Sequence, residues 1–334
     1  MEETINSNHQ PLVSILVAAY NQEAYIAKTL DSLLEQVCPF DYEILVGEDC
    51  STDATRTICC EYAQRYPEKI RLFLNINNKG LIRNYFDLLM NAKGSYLADC
   101  GGDDYWISTD KLRHQVELLE AHPEISMVGS NWQWLDQASG DIRPNQLKLD
   151  ADWYQPHRYG KQALVDYLNQ RDFPHLVLST ACFRASAVKK LIETAPDRFT
   201  GNDVACEDLP ITLGLLQQGP IYLLKEDTMV YRVLARSMSH EHSKFELQKG
   251  FTNKVLWQTL ALAAVSGITP KELGPYLKRQ LPDLAYTGFV TGDSAWLNEQ
   301  RTRLQQLGIH LTRKQRLMVL LLSSPWKPWV KKHA

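Results

Sequence analysis

Three pairs of adjacent acidic residues are the first candidates for chemistry in this sequence; they are Glu48–Asp49, Asp103–Asp104 and Glu207–Asp208. Two neighbouring carboxylates repel each other, and this repulsion disfavours the ionised form of both. The pair in the segment GGDDYW therefore requires either water, as in an ordinary surface turn, or a bound cation. The other two pairs are also typical of helix starts, where an acid caps the backbone or faces the positive end of the helix dipole.

Strand-like segments alternate with amphipathic helices in the first hundred residues. The strands are predicted at 13–19, 42–47, 70–74 and 95–99. This alternation predicts a parallel α/β sheet with right-handed crossovers and helices on both faces. Because ligands of such sheets bind beyond the carboxyl ends of the strands, we expect the residues that follow each strand to converge on one edge. These residues are Tyr20, Asn21, Glu48, Asp49 and the segment 99–104.

The rest of the chain divides into a mixed part and a helical part. Further elements are predicted as helices at 108–121 and 207–218, and as strands at 125–129, 176–183, 221–224 and 228–233. The polar stretch 137–160 has no clear period and is a candidate lid over a bound ligand. Strand signals disappear after about residue 239, where capping boxes at Thr269–Glu272 and Thr312–Gln315 predict helices. We therefore predict an α/β domain at 1–238 and a helical region at 239–334.

The composition excludes several classes of protein. A net charge of −3 and a pI of about 6.3 give no electrostatic reason to expect nucleic acid as a partner. Seven cysteines without a CxxC pair predict a reducing compartment and neither a disulfide framework nor a zinc site. The polar N-terminus does not resemble a signal peptide, and the apolar run 317–322 is too short to cross a bilayer. We expect a cytoplasmic protein, soluble or peripheral on the inner face of the cytoplasmic membrane.

The C-terminal segment 311–334 differs in charge from the rest of the chain. It carries six Lys or Arg residues, no acidic residue and two tryptophans, next to an apolar stretch. This combination is typical of a segment that lies in an anionic membrane interface. The alternative is a helix that packs on the main domain and leaves a solvated basic end.

Four motifs in order resemble glycosyltransferase family 2, a large inverting family with the nucleotide-sugar-binding GT-A fold. They are VSILVAAYNQEAYIAKTLDSLL, EILVGEDCSTDAT, NNKGLIRNYFDLLMNAKGSYLADCGGDDYW, and CEDLPITLGLLQQG followed by MVYR. The resemblance covers about residues 11–236. It implies a Rossmann-like, mixed but mostly parallel sheet with helices on both faces, to which a helical C-terminal appendage is added.

The resemblance also assigns roles to two of the acidic pairs. Asp103 and Asp104 correspond to the DxD-type motif, in which the last Asp binds a divalent cation, Mn²⁺ or Mg²⁺, that bridges the donor phosphates. Asp208 corresponds to the catalytic base, with Glu207 or Asp203 as the fallback. Many relatives carry a histidine soon after the YR of MVYR, where this chain has Leu234 and only later His240, so the third metal ligand stays open.

The remaining implied residues bind the donor. Asp49 corresponds to the acid that accepts a hydrogen bond from the ring nitrogen of uracil or thymine, and Tyr20 to the aromatic side chain near the base. Further donor-binding residues implied are Asn21, Glu23, Lys79, Arg83, Asp103 and Arg232. For Lys79, an ordinary solvated charge is an equal alternative. Three tryptophans, Trp106, Trp132 and Trp134, could stack on sugar rings or belong to the core.

The expected function is the transfer of a sugar from a nucleoside diphosphate donor, above all a UDP-sugar, to a hydroxyl of a glycan acceptor. The resemblance implies that the acceptor is a growing glycan, lipid-linked and destined for a bacterial surface polysaccharide. One alternative is a non-catalytic subunit of a polysaccharide assembly complex that binds only a nucleotide or the membrane. A nucleotidyltransferase would show a glycine-rich basic loop after the first strand, where this chain has AAYNQEAY.

Overall fold

The computed structural model describes residues 2–3, 10–145, 149–174, 176–201, 204–234, 248–313 and 315–316. Clustering of the backbone divides the chain into two compact units, residues 1–163 with 174–234, and residues 164–173 with 235–334. Asp203, His240 and most of the basic C-terminal segment lie outside the described residues. No helix among the residues described has both the length and the apolarity needed to cross a bilayer.

The first unit is built on one mixed sheet. Its strands are β1 (Glu2–Glu3), β2 (Val13–Ala19), β3 (Tyr42–Glu48), β4 (Ile70–Leu74), β5 (Tyr96–Asp99), β6 (Tyr105–Trp106), β7 (Met127–Asp136), β8 (Ile142–Pro144), β9 (Trp153–Tyr154), β10 (Cys182–Arg184) and β11 (Ile221–Val233). The order across the sheet is β1-β4-β3-β2-β5-β10-β7-β11-β6, with β8 on β7 and β9 on β11. The GT-A type of sheet expected from the sequence is confirmed.

Helices cover the sheet and close the crossovers between its strands. They are α1 (Ile26–Leu34), α2 (Thr55–Arg65), α3 (Leu81–Asn91), α4 (Lys111–Ala121), α6 (Ala185–Thr194), α7 (Asp197–Thr200) and α8 (Asp208–Gln218). Another helix, α5 (Lys161–Asn169), belongs mostly to the second unit. The second unit contains a short π-helical turn, Gln248–Thr252, then α9 (Asn253–Val265), α10 (Gly274–Thr291) and α11 (Ser294–Gln306). The expected C-terminal helices are therefore present.

Four parallel strands at the centre of the sheet present their carboxyl ends on one edge. β2 pairs in parallel with β3 and with β5, and β3 pairs in parallel with β4. Every residue of β3 is buried, as is almost all of β2, because helices cover both faces. Burial of one such aliphatic side chain contributes about 1.5–3 kcal/mol. The rigid centre of the sheet thereby fixes the positions of the residues that follow β2, β3 and β5.

Several predicted elements differ from the structure. The strand predicted at 176–183 is a 3₁₀ turn at Leu178–Thr180 followed by the short strand β10. The two strands predicted at 221–224 and 228–233 form one strand, β11, whose register is irregular between Leu224 and Met229. Helix α5 was not predicted. The strand prediction at 176–183 failed because a buried apolar run does not by itself distinguish a strand from a tightly packed turn.

Candidate active site

The first part of the site is the pair of loops that follow β2 and β3. Asn21 has a left-handed backbone, with φ 52°, and its side-chain oxygen accepts the backbone N–H of Thr52 at 2.9 Å. Glu23 accepts the backbone N–H of Ala54 at 2.7 Å, while its own N–H donates to Asp53 at 3.1 Å. The two loops are therefore joined by hydrogen bonds in both directions. Tyr20, next to them, is 46% exposed, so its ring is open to a ligand.

Glu48 and Asp49 have different structural roles, although they are adjacent. Glu48 is fully buried, accepts the backbone N–H of Ser51 at 2.7 Å, and forms an ion pair with Arg56. Arg56 in turn donates to the carbonyl oxygen of Asn75. This pair therefore braces the ends of β3 and β4 against each other. Glu48 holds the turn before α2 but does not cap this helix, since the first helical N–H, that of Thr55, donates to Asp53 at 2.9 Å.

The carboxylate of Asp49 organises the loop before α3. Its Oδ1 accepts hydrogen bonds from the side chain of Asn75 and the backbone of Lys79, and its Oδ2 accepts one from the backbone of Gly80, all at 2.9 Å. Asp49 is only 2% exposed. A carboxylate has about four acceptor positions, so Asp49 retains one for a donor group on a ligand.

The two basic residues predicted near the donor have separate surroundings. The ammonium group of Lys79 forms an ion pair with Asp87 at 2.5 Å, and both side chains are about one-third exposed or more. The surface-charge alternative therefore describes the side chain of Lys79, whereas its backbone holds Asp49. Arg83 lies exposed in the first turn of α3.

The acidic turn between β5 and β6 is held tightly by its neighbours. The backbone N–H of Arg232 donates to Oδ1 of Asp104 at 2.8 Å, and its guanidinium donates to the carbonyl oxygen of Asp103 at 2.6 Å. That guanidinium lies 5.0 Å from the ring centroid of Tyr25 and 4.8 Å from that of Tyr105. Arg232 is only 7% exposed. Arg232 therefore offsets part of the negative charge of the turn and holds the turn in position through these two hydrogen bonds.

At Gly101 and Gly102, neighbouring atoms leave little room for a side chain. A Cβ on Gly102 would lie 2.2 Å from the side-chain oxygen of Gln22 and 3.1 Å from the carbonyl oxygen of Ala18. A Cβ on Gly101 would lie 3.1 Å from Oδ1 of Asp103 and 3.3 Å from Oδ2 of Asp104. The two carboxylates therefore converge on the space beside Gly101.

The pKa values of Asp103 and Asp104 are both raised, and their carboxylates are suitable ligands for a cation. Burial, and then the charge of Asp103, raise the pKa of Asp104 well above its ordinary value, and burial raises the pKa of Asp103. Without a counter-ion, two such carboxylates cannot both be ionised comfortably at neutral pH. Hard carboxylate oxygens are the ligands that Mg²⁺ and Mn²⁺ prefer. The residues present therefore fit a divalent cation at this turn.

A second acidic cluster lies where β5 ends and α8 begins. Asp99, Glu207 and Asp208 each offer a carboxylate oxygen, and these oxygens lie within 4.8 Å of one another. In the part of the chain that the structure describes, Oε2 of Glu207 is buried and has no hydrogen-bond partner. Glu207 and Asp208 were predicted from the sequence as catalytic candidates, whereas Asp99 was included only in the segment 99–104.

Burial raises the pKa of each acid in this cluster. Burial, and then the charge of Asp208, raise the pKa of Asp99 to about 8. Burial raises the pKa of Asp208 to about 6, against a backbone hydrogen bond from Leu178 that lowers it. Burial and the charges of its two neighbours raise the pKa of Glu207 well above its ordinary value. Of the three carboxyl groups, that of Asp208 therefore loses its proton at the lowest pH.

Asp99 connects this cluster to the acidic turn. Its charge contributes to the raised pKa of Asp104 as well as to that of Glu207. A buried lysine that the sequence gave no reason to select, Lys111, has an electrostatic interaction with Asp99 and lies 4.0 Å from the ring centroid of Trp106. Burial lowers the pKa of Lys111 to about 8. The two groups of acids thus form one continuous polar region.

The tryptophans considered as sugar platforms divide between core and surface. Trp106 and Trp132 are 4% and 1% exposed and belong to the core. Trp134 is half-buried, with its ring centroid 4.9 Å from that of Tyr231. Only Trp134 is therefore accessible enough to offer part of an aromatic face to a ligand.

Comparison with known proteins places this geometry in a family. Residues 14–192 match the profile of Glycosyl transferase family 2. A segment of 115 residues is 45% identical to the uncharacterised protein Rv1520 of Mycobacterium tuberculosis, covering 34% of this chain and 33% of that protein. A segment of 116 residues is 35% identical to the poly(ribitol-phosphate) beta-glucosyltransferase of Bacillus spizizenii, covering 34% of this chain and 18% of that enzyme.

A solved structure supports the fold. Residues 1–349 of S. aureus TarS, in complex with UDP-GlcNAc, superpose with a TM-score of 0.61 at 17% identity, covering 96% of this chain and 88% of that one. This chain spans a third or less of the length of these two curated relatives. The family profile, by contrast, spans more than half of this chain and includes Asp49, Asp99 and the acidic turn, whereas Glu207 and Asp208 lie after its end. The chain therefore belongs to glycosyltransferase family 2.

Proposed function

We propose that the protein is an inverting glycosyltransferase that moves a sugar from a UDP-sugar to a hydroxyl of a bacterial surface glycan, with Asp208 as general base. The observation that carries this proposal is the acidic cluster at the start of α8. There, three carboxyl groups offer oxygens within 4.8 Å of one another, and burial raises the pKa of Asp208 less than those of Asp99 and Glu207. Such separation of pKa values is how a site assigns one acid to proton acceptance.

The proposed reaction is a single displacement. Asp208 accepts the proton of the acceptor hydroxyl as that oxygen attacks the anomeric carbon of the donor. The new bond from oxygen to the anomeric carbon forms on one face while the bond to the diphosphate oxygen breaks on the other, so the configuration inverts. Neutral Asp99, next to Asp208, adds no second negative charge, and this helps Asp208 to remain ionised before the reaction.

The acidic turn is proposed to hold the diphosphate end of the donor. Asp104 and Asp103 would bind a divalent cation, Mn²⁺ or Mg²⁺, whose charge stabilises the departing nucleoside diphosphate. Arg232 holds the turn in position through its hydrogen bonds to Asp104 and Asp103. At the other end of the donor, the free acceptor position of Asp49 and the exposed ring of Tyr20 suit a pyrimidine base, which offers one ring N–H and an aromatic face.

Two of the similar proteins support the donor and acceptor classes. The TarS structure contains UDP-GlcNAc, which favours a UDP-sugar for this chain. The Bacillus enzyme acts, by its name, on poly(ribitol-phosphate), a polymer built from hydroxyl-bearing repeats. We extend this to a glycan or lipid-linked glycan acceptor for this protein, which works in the cytoplasm or at the inner face of the membrane.

Calorimetric titration of UDP and dTDP, each with and without Mn²⁺, tests the donor site. We expect UDP to bind at least tenfold more tightly with Mn²⁺, and we expect Asp104→Asn to abolish this gain. The isosteric amide retains an oxygen that can accept the N–H of Arg232, so the turn keeps its shape. The matched control is Asp283→Asn, because Asp283 is exposed on α10 in the second unit. Metal-independent binding, or equal effects of both variants, would contradict the proposed site.

Turnover distinguishes the transferase from a non-catalytic subunit. A panel of UDP-sugars is incubated with a bacterial membrane extract as the acceptor source, and release of UDP and sugar incorporation are measured. Transfer that is lost in Asp208→Asn, with UDP binding unchanged, supports catalysis. UDP binding with no transfer from any sugar of the panel would favour the non-catalytic alternative.

A further inference from the structure

A cavity in the second unit is lined mainly by basic and polar side chains. The lining residues are Arg301, Gln305, His310, Leu311 and Arg316. Its volume is about 150 Å³, whereas one water molecule occupies roughly 30 Å³ of the liquid. The cavity is therefore large enough for a small tetrahedral anion together with water.

The charges around this cavity are unbalanced. Two arginines and a histidine line it, and none of the lining residues among those the structure describes is acidic. Within the described part of the chain, Nε of Arg301 is buried and lacks a hydrogen-bond partner. A buried donor is expensive to leave unpaired, and more so when it is charged. The cavity therefore presents a positive donor for which the surrounding chain supplies no acceptor.

The kind of donor indicates the kind of ligand. An arginine guanidinium is planar and presents its N–H groups as a fork that matches the oxygens of a phosphate. Arg301 belongs to α11, whereas Arg316 belongs to the segment after the capping box of Thr312 and Gln315. Cations from two elements thus face the same space, as recognition of one multiply charged group requires.

We propose that this cavity is a binding site for a phosphate group, carried either by a soluble phosphate compound or by a lipid head group. The site is separate from the proposed donor site, which lies in the first unit and uses acidic residues. It does not depend on the identity of the donor. It would give the enzyme a second anchor for a ligand that carries phosphate, whichever of the two sources supplies that ligand.

Calorimetric titration of inorganic phosphate into the full chain tests the site, at low ionic strength and with a chelator present. The chelator removes divalent cations, so phosphate cannot bind through them at the acidic turn. We expect saturable binding that weakens at least tenfold in Arg301→Gln and in Arg316→Gln. Arg313→Gln is the matched control, because exposed Arg313 does not line the cavity yet carries the same charge on the same segment. We expect less than a twofold change for it.

Vesicle sedimentation separates the two sources. Vesicles of phosphatidylcholine with phosphatidic acid are compared with vesicles of phosphatidylcholine alone. Binding to phosphatidic acid that inorganic phosphate displaces, and that Arg301→Gln weakens more than Arg313→Gln, assigns the site to a lipid phosphate. Binding of inorganic phosphate without any such preference for vesicles assigns it to a soluble compound.

Two outcomes would overturn the proposal. One is that the wild-type chain binds neither inorganic phosphate nor phosphatidic acid. The other is that the cavity variants and Arg313→Gln weaken binding equally, which would indicate only general attraction by surface charge. Arg301→Lys guards against misfolding, because it keeps the charge and loses the fork. We expect it to bind phosphate more weakly than the wild type and more tightly than Arg301→Gln.

Discussion

The protonated state of Asp99 makes stability depend on pH in a predictable direction. Asp99 is 6% exposed, and its pKa is about 8 in the folded chain against 3.8 for an unperturbed side chain. Between these two values the folded state holds a proton that the unfolded state has released. The free energy of unfolding therefore falls by about 1.4 kcal/mol for each pH unit in this range. Below about pH 4 this penalty is absent, and above about pH 8 it is complete.

Replacement of Asp99 by Asn removes the titrating group while it keeps the size of the side chain. We expect Asp99→Asn to gain stability relative to the wild type as the pH rises, by about 3 kcal/mol between pH 5 and pH 7 at most. Urea denaturation followed by tryptophan fluorescence at pH 5, 6 and 7 measures this difference. Asp141→Asn, on the surface, serves as the control and should show no such trend. A stability difference for Asp99→Asn that stays constant across this pH range would refute the reasoning, since it would mean that Asp99 is ionised in the folded chain.

Three further predictions concern catalysis and the acidic turn. Asp208→Asn should lower the rate of sugar transfer by about 10²–10⁴-fold with little change in UDP affinity. The activity of the wild type should fall below about pH 6, as Asp208 takes up a proton. Rates of both proteins measured as a function of pH check these two predictions. Gly102→Ala should destabilise the protein by about 1 kcal/mol, since the new methyl group would displace the end of the Gln22 side chain and crowd the carbonyl oxygen of Ala18. Gly250→Ala, with open space around it, should not. Urea denaturation compares the two variants, and equal midpoints would contradict the packing argument. Arg232→Lys keeps the charge but loses the planar group that lies against two tyrosine rings and donates to the turn. Metal-dependent UDP binding, measured by calorimetry, should therefore weaken about tenfold. Unchanged binding would show that Arg232 does not position the turn.

Much of the site could be predicted from the sequence because its residues follow buried strands. Apolar runs identify β2, β3 and β5, and the rule that ligands bind at carboxyl ends then selects Asp49 and the acidic turn. What each carboxylate contacts could not be predicted. Nothing in the order of residues shows that Glu48 faces inward to Arg56 while its neighbour Asp49 accepts the backbone of a loop thirty residues later.

The contacts of the acidic cluster at the start of α8 could not be predicted from the sequence either. Asp99 and Asp208 are far apart in sequence, and a strand end and a helix start each have an ordinary structural reason to carry an acid. The shifts in the pKa values of these two acids depend on burial, which only the folded chain provides. Lys111 is a similar case, because a lysine in the first turn of a helix is usually solvated, whereas here it is fully buried.

The hydrogen bonds that join the loops after β2 and β3 affect how these loops could be exchanged with those of a relative. Each loop supplies side chains that hold the backbone of the other, from Asn21 to Thr52 and from Asp53 to Glu23. A chimaera that exchanges only one of these loops with a relative would leave backbone groups of the other without partners. The two loops should therefore be transplanted together, as a single cassette, even though about thirty residues separate them in the chain.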